Sequence, residues 1–234
     1  MTTTEVKVKT RRILQLFMAL ILFRNFKILS IMFRIKSTTS PIEAFFLYEC
    51  ARDGYGEGAI VEIGSFHGMS TIVMATGSKQ RQREKVYAID PLLDVNIRNC
   101  LMKNIKRERV EDYIIPCLMK SEEFSKDFKK PIRLIFIDGC HEYEEVRKDI
   151  LLFKGYLIDG GIIALHDVNL ESVCKAINEC IVNSDEFIVE GRVGYILFAS
   201  KKISKNKTLF RRFAHLNKIR SISKAILDKT WLKV

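Results

Sequence analysis

The sequence predicts an α/β protein built on a doubly wound, Rossmann-like, mostly parallel sheet. Three apolar runs point to it: Ala59–Ile63, Leu134–Ile137 and Ile162–Leu165. The first carries Glu62 near its end, the second stops at Asp138, and the third stops at His166-Asp167. Short continuous apolar runs bounded by glycine are the pattern of strands buried on both faces. Between them lie segments of helical period, such as Tyr143, Val146, Ile150 and Phe153, which recur three and four apart. Strands alternating with helices give a parallel sheet with helices on both faces.

In chain order, Ser40-Pro41-Ile42-Glu43 opens the first helix of this unit. Serine caps, proline fits the first turn, and the glutamate three residues on completes a capping box. That helix is expected over 41–52, ending before Gly54. Strands are expected at 59–63, 85–89, 113–117, 133–137, 161–165 and 193–198. Helices are expected at about 69–77, 94–106, 121–128, 142–154 and 171–183.

The chemistry-bearing residues fall at the carboxyl ends of these strands, where ligands bind in open α/β sheets. After the first strand comes the turn Gly64-Ser65-Phe66-His67-Gly68, followed by a helix beginning near Met69-Ser70. Its glycines let backbone approach a ligand, and the helix start offers free N–H groups. Asp90 ends the second strand, 26 residues after Gly64, near the ~20 of nucleoside-binding units, where such an acid takes the ribose hydroxyls. The turn reads G-x-x-x-G, so the full dinucleotide fingerprint is absent. Asp138 and Asp167 should stand side by side at the rim, with His141 just beyond. Two carboxylates and an imidazole there are material for a divalent metal and a general base.

Four segments carry a family resemblance: Glu62–Ser70, Ala88-Ile89-Asp90-Pro91, Ile137–Tyr143 (with its Asp-Gly-x-His-x-Tyr element) and Gly160–Asp167. Together they resemble class I S-adenosylmethionine-dependent methyltransferases, in the metal-dependent O-methyltransferase branch that includes macrolide-sugar enzymes. The resemblance covers about residues 38–199 and implies a seven-stranded sheet with the last strand antiparallel. It implies that Glu62, Gly64 and Ser70 face the methionine part of S-adenosylmethionine, with Ser65 and Gly68 in the same cradle. Asp90 would take the ribose and Ser121 the adenine edge. Asp138 would stand near the sulfonium and, with Asp167, hold a divalent metal, magnesium in the first instance; His141 would be the base. His166 stands where a glutamate ligand is expected, and imidazole suits zinc, iron or nickel better than magnesium.

Composition bounds the rest. The 234 residues are 47% hydrophobic and 29% charged, enough for one full core and far from a disordered composition. The six cysteines form no C-x-x-C pair and read as reduced thiols of a cytoplasmic protein. The net charge of +11 is unevenly placed. Residues 1–36 hold eight Lys/Arg and one acid, residues 200–234 hold eleven and one, and the middle carries 20 basic against 26 acidic residues. Three parts are expected: a basic amphipathic helical extension over 1–37, the methyltransferase domain over 38–199, and a basic amphipathic tail over 200–234. Ile13–Phe23 is interrupted by Arg24, short of the ~20 residues that span a bilayer. The basic ends suit either core or dimer packing or an anionic membrane surface, which would place the protein peripherally on the inner face.

The expected function is methyl transfer from S-adenosylmethionine to a hydroxyl oxygen of a small-molecule or glycan acceptor. A non-catalytic S-adenosylmethionine-binding scaffold would lack the turn or the carboxylates, and both are here. A nucleic-acid methyltransferase is disfavoured, because the acidic middle opposes a nucleic-acid groove and no Asn-Pro-Pro-Tyr-like run occurs.

Overall fold

The computed structural model describes residues 26–203. The expected tail beyond 203, and the part of the amino-terminal extension before Phe26, lie outside them. The helices are α1 (Phe26–Arg34), α2 (Pro41–Asp53), α3 (Met69–Gln80), α4 (Val95–Glu108), α5 (Ser121–Asp127), α6 (Tyr143–Phe153) and α7 (Glu171–Ile177). The strands are β1 (Ala59–Ile63), β2 (Val86–Ile89), β3 (Ile114–Cys117), β4 (Ile132–Ile137), β5 (Leu157–Leu165), β6 (Phe187–Val193) and β7 (Ile196–Lys201). They form one seven-stranded sheet in the order β3-β2-β1-β4-β5-β7-β6. β1 to β5 run parallel, and β7 is antiparallel to both neighbours.

The sheet separates two apolar cores. One packs α1 to α4 on one face through residues such as Ile31, Phe46, Ile72 and Leu101. The other packs α5 to α7 on the opposite face through Ile135, Ile150, Phe153 and Ala176. Burial on both faces is why β1 and β4 are apolar throughout, apart from Glu62 and Arg133. The order reverses between β1 and β4, so the crevice at their carboxyl ends is the topological switch point.

Several features differ from the sequence reading, among them the helix expected over 171–183, whose α-helical part ends at Ile177 and continues as a π-helical turn over Asn178–Val182. The single strand expected over 193–198 is a hairpin, β6 and β7, turning at Gly194-Tyr195. Gly194 takes φ +58 there, and the polar stretch Glu190-Gly191-Arg192 hid the first arm. The strand expected from 161 begins at Leu157 and runs through Gly160, whose φ of +81 accommodates a register irregularity against β4. The amino-terminal extension is also partly core: Ile28, Ile31 and Ile35 are buried against α2 and α3.

Arg133 is the largest fully buried side chain. Its guanidinium pairs with Glu84 at 2.7 Å and donates to the carbonyls of Cys50 at 3.0 Å and Ala51 at 2.5 Å. It thereby supplies a donor to Ala51 and a second donor to Cys50, which also accepts from Gly54 N at 2.9 Å, at the carboxyl end of α2, where carbonyls run short of helical partners, and ties that helix to the sheet. Removing one partner of a buried pair strands the other. Arg133→Ala should therefore lower the unfolding free energy by about 3–5 kcal/mol, read by urea denaturation. A loss below about 1 kcal/mol, the scale of an exposed pair, would contradict this anchoring role.

Candidate active site

The carboxyl ends of the parallel strands open into a cavity of about 760 Å³, within the usual range for small-ligand pockets. Its wall takes in Gly64–His67 after β1, Asp90 at the tip of β2, Met119–Glu122 leading into α5, Asp138–His141 after β4, and Asp167 after β5. Lys36–Thr39, joining α1 to α2, also line it.

The turn after β1 depends on glycine. Gly64 has φ +93, and a Cβ there would stand 2.1 Å from the carbonyl oxygen of Asp138. Only glycine lets this turn meet the end of β4. Asp90 caps the arrangement from β2: its Oδ2 accepts from Phe66 N at 2.9 Å and its Oδ1 from Leu92 N at 3.0 Å. Each carboxylate oxygen keeps capacity for a ligand hydroxyl. Ser65 Oγ is buried beside the turn with no protein partner, a free polar atom on the wall of the cavity.

Of the residues expected to cradle a cofactor, Gly64, Ser65, Ser70, Asp90, Ser121 and Asp138 line the cavity; Glu62 and Gly68 do not. Glu62 is fully buried and takes hydrogen bonds from Thr71 and Ser70. Burial pushes its pKa up to about 8 against those bonds, and Asp138 and Asp90 push the same way. Ser121 bonds the buried Asp149, whose carboxyl burial raises to about 6. Asp149 lines the cavity too and was not singled out from sequence, because it sits on the inner stripe of α6 among apolar residues.

The acidic end of the cavity is a compact cluster. Ligand atoms of Asp138, His141 and Asp167 all lie within 4.8 Å of one another, and His141 Nε2 is 2.9 Å from Asp167 Oδ2. Asp167 holds its carboxylate there from a left-handed backbone at φ +54, a strained conformation of the kind that collects at functional sites. His166, expected as a metal donor, sits behind this trio and only 4% exposed. Its Nδ1 lies 3.4 Å from Asp138 and 3.2 Å from Asp167, and its Nε2 lies 3.7 Å from Glu43. These contacts are ion pairs rather than aligned hydrogen bonds. Burial would lower the ring's pKa, but Glu43, Asp138 and Asp167 hold it up at about 9. The ligand atoms that converge are those of Asp138, His141 and Asp167, so the geometry favours His141 over His166 as the nitrogen beside the carboxylates.

Glu43 is the residue whose role the sequence understated. It is legible only as the capping-box acid, and it does accept from Ser40 N at 2.6 Å and Ser40 Oγ at 2.7 Å. It also takes the amide of Tyr195 from the β6–β7 turn and faces His166. Burial would raise its pKa, but His166, Ser40 and Tyr195 bring it down to about 2. Glu43 is thus an ionised, fully buried carboxylate.

The donor set fits a divalent cation. With Asp138 ionised, three carboxylates against one imidazolium leave two negative charges in a site where Glu43 is buried and Asp138 and Asp167 are half-buried. Burial pushes Asp138 up to about 7, with Asp167 and Glu43 adding to it and His166 opposing. Surplus buried negative charge of that size is what a cation would neutralise.

Residues 61–168 match the family described as a methyltransferase domain. An uncharacterized protein of Acanthamoeba polyphaga mimivirus is 30% identical over 120 residues, covering 46% of this chain and 50% of that protein. The chain thus matches about half the length of that relative. Among solved structures, the apo TDP-rhamnose 3′-O-methyltransferase of calicheamicin biosynthesis superposes with a TM-score of 0.54 at 14% identity, covering 67% of this chain and 76% of that one. The O-methyltransferase of Bacillus cereus in complex with SAH gives 0.56 at 17% identity, covering 75% and 89%. At these identities the likeness is one of fold.

Two outcomes follow for Asp90 and for Glu62 behind the cavity. Asp90→Ala should weaken S-adenosylhomocysteine binding by about 1.5–3 kcal/mol, the scale of a lost charge-assisted hydrogen bond; unchanged calorimetric affinity would remove Asp90 from the ligand site. Glu62 has a folded pKa above its ordinary value, so its contribution to stability is present at low pH and lost as pH rises from about 4.5 to about 8. Urea unfolding across that window should show the wild type losing stability relative to Glu62→Gln. Parallel curves would mean that Glu62 titrates normally.

Proposed function

We propose that this chain, whose residues 61–168 match a methyltransferase-domain family, moves a methyl group from S-adenosylmethionine to a hydroxyl oxygen of a sugar or glycan acceptor, assisted by a divalent metal. The observation that carries this reading is the Asp138–His141–Asp167 cluster on the wall of the cavity that also holds the Gly64–Ser65 turn and Asp90. One cavity offers a cradle for a nucleoside beside groups suited to bind and deprotonate an alcohol.

S-adenosylmethionine supplies an already activated methyl group when bound, so the protein's work is alignment and proton removal. The chain's own residues divide that work. Asp90, with both oxygens presented at the rim, takes the ribose hydroxyls. Ser65 and Ser70 serve the methionine end, and Ser121 with Asp149 serves the adenine end. Asp138 and Asp167 would hold the metal, which when bound would lower the pKa of an acceptor hydroxyl. His141 is the base: Asp167 engages Nε2, and Nδ1 is the ring nitrogen left to take the acceptor's proton. The proton goes to His141, the methyl to oxygen, and the sulfonium leaves as a neutral thioether.

His166 balances charge in this scheme. As an imidazolium against three carboxylates it offsets one charge without occupying the metal's position. A pair of vicinal hydroxyls could present two adjacent oxygens to the Asp138, His141 and Asp167 cluster, which favours sugars over isolated alcohols. The fold shared with a TDP-rhamnose 3′-O-methyltransferase is consistent with that class.

Asp167→Asn should abolish methyl transfer to sugar acceptors while leaving S-adenosylhomocysteine affinity within about twofold, since its carboxylate serves acceptor, metal and base rather than nucleoside. Treatment with EDTA should abolish turnover, and Mg²⁺ should restore it. Mg²⁺ should also raise the melting temperature of the S-adenosylhomocysteine complex of the wild type but not of Asp167→Asn. Full activity after EDTA would remove the metal and leave deprotonation to His141 alone.

A further inference from the structure

Helix α1 has two opposed faces, and among the described residues only one has a partner in the fold. Ile28 and Ile31, with Ile35 just beyond the helix, are 3%, 0% and 3% exposed and join the core beneath α2 and α3. Phe26 and Phe33 are 75% and 89% exposed. At about 100° per residue the two phenylalanines, seven residues apart, share one line nearly opposite the isoleucine stripe. Large apolar side chains on the outward face of a helix mark an interaction surface rather than a solvated one.

The charges beside these rings identify the partner. Lys27, Arg34 and Lys36 fall within residues 26–36, and that stretch has no acid. Lys27 and Arg34 lie seven apart on the flank of the phenylalanine line. Arg34 reaches Glu108 at 3.3 Å with its side chain still 46% exposed, and Lys27 and Lys36 are exposed. Aromatic rings with a cationic flank match an interfacial helix, whose rings enter the headgroup region while its cations meet anionic lipid. A second copy of the chain fits poorly, because a two-fold contact through this face would set these cations against themselves.

We infer that α1 docks this protein on an anionic lipid bilayer and turns the cavity mouth toward it. The chain leaves α1 directly into Lys36–Thr39, which line the cavity, so the docking helix and the site are joined by a few residues. The middle of the chain carries more acid than base, 26 against 20 over residues 37–199, which repels it from the same surface and orients the protein by this end. The acceptor class follows as a sugar presented at a membrane surface, such as a lipid-linked glycan; this last step rests on the proposed transfer chemistry, whereas the docking does not.

The test is sedimentation of the full chain with vesicles of phosphatidylglycerol and phosphatidylcholine. The wild type should pellet at low salt and be released as salt rises, and it should stay in solution with phosphatidylcholine alone. Phe26→Ser/Phe33→Ser should cut the partition coefficient by roughly tenfold or more. Lys27→Glu should cut it by about fivefold or more, one basic contact being worth about that factor. Both variants alter exposed positions, and unchanged S-adenosylhomocysteine affinity verifies that each is folded with its cavity intact. Failure of the wild type to bind S-adenosylhomocysteine would count against the proposed chemistry and not against docking. The lipid assignment is overturned if the wild type stays in the supernatant with anionic vesicles, or if both variants pellet like the wild type. It is equally overturned if light scattering shows a dimer that the double variant disperses, which would make the surface a contact between copies.

Discussion

Buried negative charge is the constraint around which this molecule is arranged. Glu43, Asp138 and Asp167 converge on one imidazole, that of His166, at 3.2 to 3.7 Å. An isolated carboxylate in such a place would give up its charge rather than remain ionised. His166 changes that balance: its ring stays protonated and Glu43 stays ionised, while Asp138 is left near neutrality. The elements that bring these groups together are the start of α2, the ends of β4 and β5, and the β6–β7 turn through Tyr195. The cluster is therefore tied into the fold on several sides.

The rest of the scaffold serves to hold that junction rigid. Arg133 fastens the carboxyl end of α2 to the sheet, and the capping box fixes its amino end, so Glu43 is presented from a helix secured at both ends. The contact of Gly64 with the backbone of Asp138 sets the turn after β1 against the end of β4, which brings the Gly64–Ser65 turn, Asp90 and the acidic cluster into one cavity. That adjacency is what a transfer reaction needs, since the reacting atoms must be held within contact distance before chemistry begins.

Much of this was legible in the sequence because it rests on local patterns. Apolar runs ending in acids marked β1, β4 and β5, and the capping box marked the start of α2. The Gly turn and Asp90 fell where strand-end geometry requires them. What was not legible depends on contacts between distant segments. Glu43 and Tyr195 are 152 residues apart, and nothing in the capping-box pattern signals a second duty. His166 looked like a ligand because it stands where the resemblance expects a glutamate, but its ring is buried among Glu43, Asp138 and Asp167, with Nε2 turned toward Glu43. Asp149 was hidden by the apolar stripe of α6, and the hairpin at Gly194-Tyr195 by the polar residues of its first arm. The amino-terminal segment read either as a core or dimer helix or as an interfacial one, and α1 has the residues for both: isoleucines inward and phenylalanines outward.

The central claim is that one cavity holds the nucleoside against Asp90 and its sulfur against the acidic cluster. The most direct measurement is a crystal structure of the full chain with S-adenosylhomocysteine and Mg²⁺. The account predicts ribose hydroxyls on Asp90, the thioether sulfur facing Asp138, and a cation on Asp138 and Asp167 with His141 beside it and His166 behind. S-adenosylhomocysteine bound away from the Gly64 turn, or a cavity that takes up neither ligand at saturating concentration, would contradict it.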